Sequence, residues 1–118
     1  MKVTAYEGGD LMRLGRHTAA IALLDEALAG FDVSMRRHRC ATLIDRAAAH
    51  LAGHDIDACC EDATEALAIA TETEHQVLAR RVHRIAVAVR PSKAAAALRL
   101  WTDVMGAGVE QDLEEKRV

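Results

Sequence analysis

Apolar side chains recur along this chain at helical spacing. Between positions 17 and 31, Ala20, Ile21, Leu24, Ala27, Leu28 and Phe31 fall three or four residues apart and make one stripe. A second stripe, over about 35–52, runs through Cys40, Leu43, Ile44, Ala47, Ala48 and Leu51. A third takes in Ile56, Cys59, Ala63, Ala66, Leu67 and Ala70, and a fourth Leu78, Val82, Ile85 and Val89. The last holds Ala94, Leu98, Trp101, Val104 and Met105. An earlier face, starting near Thr4, continues through Leu11 and Leu14, although Gly8 and Gly9 each lower helix propensity by about 1 kcal/mol. The punctuation agrees with these stripes. Gly15 and Gly53 stand where helices end, and Asp55 or Asp57 can cap the helix that follows. Thr73 to Gln76 has capping-box spacing; Pro91 stops one helix and Ser92 caps the next. Strand-type alternation is confined to Ile85, Val87 and Val89, with alanines in the gaps. The pattern predicts an all-α domain over 1–105, about six antiparallel helices paired as 2–31, 35–71 and 74–105. Residues 106–118 are expected to form a polar, frayed tail.

Composition narrows the class. A chain of 118 residues, 51% hydrophobic, suits one core and is too apolar for disorder. No run approaches the roughly 18 to 20 apolar residues of a membrane span, and the first fifteen residues carry no signal-like apolar core. The expected setting is cytoplasmic. A net charge of −3 exerts no general pull toward nucleic acid, and one Trp, one Tyr and one Phe supply little base stacking. Alanine dominates and Pro91 is the only proline, so the helices should approach closely.

The helix pairs also repeat. Gly15-x4-Ala20-x6-Ala27-Leu28 returns as His54-x4-Cys59-x6-Ala66-Leu67 at an offset of 39. This pattern resembles the tetratricopeptide repeat, a helix-turn-helix unit of about 34 residues. Gly8, Gly15, Ala20 and Ala27 stand where that family places small residues, and Leu24 where it places a large one. Thr4, Glu7 and Asp32 depart from its usual aromatic, leucine and proline. Over about 10–105, the runs RLGRHTAAIALLDEALAGFD, RRHRCATLIDRAAAHLAGHDIDACCEDATEALAIA and VLARRVHRI resemble the C-terminal half of many actinobacterial helix-turn-helix transcription regulators. The resemblance implies a right-handed superhelical stack that recognises a partner or ligand, without catalysis, in transcriptional control.

Charge is segregated by helix. Between Ala47 and Ala79 there are seven carboxylates and no Lys or Arg, whereas Arg36, Arg37, Arg39 and Arg46 precede that span and Arg80, Arg81, Arg84 and Arg90 follow it. In a stack of this kind the first helix of each pair lines a concave surface. Arg39, Arg46, Arg80 and Arg84, with His83 among them, are therefore candidates for holding an acidic peptide, carboxylate or phosphate through bidentate guanidinium contacts. The competing reading pairs these arginines with the acidic helix itself, each exposed pair contributing at most about 1 kcal/mol. Arg36 and Arg37 sit at a helix N-terminus, where a cation is misplaced unless an anion offsets it. Leu98, Trp101 and Met105 are candidates for an oligomerisation edge that would close a homodimer, although Trp101 can equally seal the end of the stack.

Other chemistry finds little support. His50 and His54 have HxxxH spacing, but Gly53 interrupts the face they would share, and CxxC and HExxH spacings are absent. Ser34 and Ser92 are the only serines, and both occupy cap positions. A small helical enzyme using His50, His54 or Cys60 remains the third reading. It lacks a nucleophile with a base at readable spacing, so no catalytic residue, metal or cofactor is assigned.

Overall fold

The computed structural model describes residues 16–109, and the first expected helix face, Gly15 and most of the C-terminal tail lie outside that range. Five α-helices follow one another: α1 (His17–Gly30), α2 (Arg36–Ala52), α3 (Ile56–Glu72), α4 (Gln76–Val89) and α5 (Ala95–Gly106), with a 3₁₀ turn at Arg90–Ser92 before α5. There is no strand among the described residues. Val87, the centre of the one alternating run, is an exposed helical residue. Each helix packs against its successor; in addition α2 touches α4, and α3 touches α5. Helix α3 is thus the middle of the assembly.

Two links have the same construction. After α2, the amide of His54 donates to Leu51 O and that of Asp55 to His50 O, both at 2.9 Å. After α3, Glu74 donates to Thr71 O at 3.2 Å and His75 to Ala70 O at 2.9 Å. Both are Schellman turns, which satisfy the orphan carbonyls at a helix end. The left-handed residue is His54 in the first (φ 63°) and Glu74 in the second (φ 53°). Gly53, at φ −86°, does not supply the left-handed bend. Its missing Cβ serves close approach, because that atom would lie 3.0 Å from Cδ2 of His17. Asp55 then caps α3 by accepting from Ala58 N at 3.1 Å.

The start of α4 departs from the capping-box expectation. Nδ1 of His75 accepts from Leu78 N at 3.2 Å, while the Thr73 hydroxyl donates back to Ile69 O. The Schellman turn has already committed Thr73 to the end of α3, which moves the cap two residues on. Ser92 likewise accepts from Ala94 N inside the 3₁₀ turn, and α5 begins only at Ala95.

The core is built from small side chains. Ala20 and Ala27 on α1, Cys59 and Ala66 on α3, and Ala97 and Val104 on α5 stand seven residues apart on each helix, and all six are 0% exposed. Small residues at such positions bring helix axes together. The Cys40 thiol of α2 reaches Ala66 O of α3, 3.2 Å away. On α1 to α4 the buried positions follow the expected stripes, with Ile21, Phe31, Ala48, Leu51 and Ile56 only half-buried. On α5 the stripe is rotated. Ala97, Leu100 and Val104 are buried, whereas Leu98 and Met105 are 51% and 41% exposed. One residue is 100° of helical rotation, and packing of α5 against α3 and α4 places Leu100 rather than Leu98 inward.

Candidate recognition surfaces

The expected arginine groove divides into two faces. Helix α2 turns three of its four arginines toward α3, against which it runs antiparallel. Arg36 meets Glu72, Arg39 Nε donates to Glu65 at 2.6 Å, and Arg46 clamps Asp62 through Nε and Nη2, each at 2.7 Å. Arg46 also donates from Nη1 to Asp25 of α1 at 2.8 Å, so one guanidinium ties three helices. Its side chain is 24% exposed and that of Asp62 only 7%. The Asp62 hydrogen bonds hold this guanidinium charged well above its ordinary range. His50, at the end of α2, lies 3.7 Å from the same carboxylate. Arg46 is therefore tied into a part-buried charge network and Arg39 is paired with Glu65 at the surface, as in the competing reading of the sequence.

Helix α4 carries the rest. Arg80 and Arg84 are one turn apart, Arg84 exposed and Arg80 half-buried. Arg81 between them donates to Asp45 of α2 at 2.9 Å. Val77, one turn before Arg80, is 55% exposed. His83 corrects the expectation of a groove residue: it is 2% exposed, on the inner face of α4, with its ring centroid 5.9 Å from that of Trp101. Its place on the stripe Ala79–Val82–Ala86 made burial readable from spacing alone. Trp101 is itself half-buried, and the Arg90 guanidinium stacks 4.4 Å from its ring centroid. That leaves Leu98 and Met105 as the exposed part of the expected oligomerisation edge.

Two features go beyond the sequence pattern. Asp62, one of the seven carboxylates between Ala47 and Ala79, is buried. It falls three residues after Cys59 on the apolar stripe, and a carboxylate in that register signals a buried partner. The second is an open groove between α3 and α5 of about 1010 Å³, bordered by Asp57, Glu61, Leu98, Arg99 and Asp103. Only tertiary packing brings these residues together.

The thiols are poor nucleophiles. Burial pushes the Cys40 thiol up to about 11 and the Cys59 thiol up to about 12, and it raises that of Cys60 as well. His54 sits in the left-handed turn beyond the end of α2, so it does not share a helical face with His50. Ser34 donates its hydroxyl to Asp32, which with the Ser34 amide lowers that carboxyl below its usual value. No family model, curated protein or solved structure matches the chain.

Proposed function

We propose that the chain is a non-catalytic recognition module with a tetratricopeptide-like stack, working in the cytoplasm as the sensor or partner-binding part of a transcription regulator. The observation that carries this reading is the recurrence of one packing unit. Equivalent small residues are wholly buried on α1, α3 and α5, and the two Schellman links repeat between successive helices. Repetition of this kind builds extended surfaces, which is what repeat proteins use to bind. Function follows from the surface rather than the fold. With Arg39 and Arg46 paired to carboxylates of α3, the anion-binding part of the proposal rests on Arg80 and Arg84 of α4. Its partner is an acidic peptide or a small anionic ligand.

Titration of a fluorescent Asp- and Glu-rich peptide at low salt tests it. The wild type should bind saturably, and an Arg80→Glu/Arg84→Glu variant should lose that binding. Equal affinity of the two proteins would overturn the assignment. A second reading, an oligomerisation domain, is favoured by the exposed Leu98 and Met105 on the last helix. Sedimentation of the same two proteins separates the readings, because self-association through α5 would survive charge reversal on α4.

A further inference from the structure

We propose that the groove between α3 and α5 is a docking site for a cationic amphipathic helix of a partner protein. Its walls are two matched stripes. Helix α3 contributes Asp57, Cys60, Glu61 and Thr64, and α5 contributes Ala95, Leu98, Arg99 and Thr102, both at the i, i+3, i+4, i+7 spacing of one helix face. Seven residues at about 1.5 Å each make a wall of roughly 10 Å, or two helical turns. Two turns of a helix about 10 Å across fill on the order of 800 Å³, which fits a groove of about 1010 Å³.

The chemistry of the walls selects the occupant. Cys60 and Ala95 are small, so an incoming backbone can approach, and Leu98, half-exposed, offers it an apolar contact. Three carboxylates, Asp57, Glu61 and Asp103, face one guanidinium, Arg99. Complementary potential therefore calls for lysines and arginines flanking an apolar stripe. A second copy of this chain is disfavoured, because a two-fold contact would set the same acidic rims against each other. The proposal is independent of the α4 arginines, which take the opposite charge on another helix.

The probe is a 14-residue helical peptide with a leucine stripe and lysines elsewhere, compared with its glutamate counterpart by fluorescence anisotropy at low salt. The lysine peptide should bind saturably and the glutamate peptide should not. Glu61→Lys/Asp103→Lys should weaken binding by about tenfold or more, and Leu98→Ala by about threefold to fivefold. Glu26→Lys/Glu74→Lys, which changes net charge equally away from the groove, should keep the affinity. Amide chemical-shift changes in the wild type should be confined to the first half of α3 and to α5, a readout that needs no variant to fold. The proposal fails if neither peptide binds, if both bind, if the control loses as much as the groove variant, or if the shifts map elsewhere. It fails equally if the protein is a dimer that Glu61→Lys/Asp103→Lys dissociates.

Discussion

Removing Asp62 should destabilise the fold more than removing any other carboxylate in the ladder. Asp62 is 5% exposed and accepts two hydrogen bonds from Arg46 at 2.7 Å. Truncation to alanine strands a guanidinium that is only 24% exposed. Breaking a buried pair from one side costs about 3–5 kcal/mol. Here Arg46 keeps Asp25 at 2.8 Å and some solvent, so the lower end, about 3 kcal/mol, is expected. For a chain of this length that corresponds to a loss of about 12 °C in Tm. By contrast Arg39–Glu65, with side chains 33% and 46% exposed, should yield less than about 1 kcal/mol for Glu65→Ala. Urea unfolding followed by circular dichroism gives both values. An Arg46→Met/Asp62→Leu double variant should recover most of the loss, since apolar replacement of a buried pair is often close to neutral. A cost below about 1 kcal/mol for Asp62→Ala, or a double variant no better than the single, would refute the view that Arg46 is an interior strut.

Three further outcomes follow from the packing and the thiols. Leu100→Ala should cost about 3 kcal/mol, because Leu100 is 0% exposed, whereas Leu98→Ala should cost under about 1 kcal/mol; paired urea titrations check the α5 register. Glu74 holds φ 53° without being glycine, so Glu74→Gly should raise stability by about 0.5–1 kcal/mol, read as an increase in the urea midpoint. The folded thiols of Cys40 and Cys59 keep their protons where the unfolded thiols, near 9.0, have lost them. Their contribution is fully present below pH 9 and declines as pH rises toward about 11 and 12, so the urea midpoint should fall between pH 8 and 10.5. A Cys40→Ala/Cys59→Ala variant should show a shallower fall.

How legible the sites were depended on what each required. The pairing of Arg39 and Arg46 with the acidic helix was open from composition, since α2 is basic and α3 acidic. Which face of α2 carried them was not, because Arg39, Arg46 and Asp45 differ only by rotation about one axis. His83 lies close in sequence to Arg81 and Arg84, which point 200° and 100° away round the helix, but its own face is the apolar one of Ala79, Val82 and Ala86. The α3/α5 groove has no sequence signature, being made by residues 38 positions apart.

Local sequence by itself determined that the described chain is helical and where the helices lie. Alanine content, apolar period and helix-ending residues act over a few positions, so their signal survives without knowledge of neighbours. Tertiary structure decided the rotation of α5, the burial of Asp62 and the use of His54, rather than Gly53, for the left-handed turn. The first two of these are set by how closely a second helix can approach. That distance is a property of two surfaces together, and neither sequence segment encodes it alone.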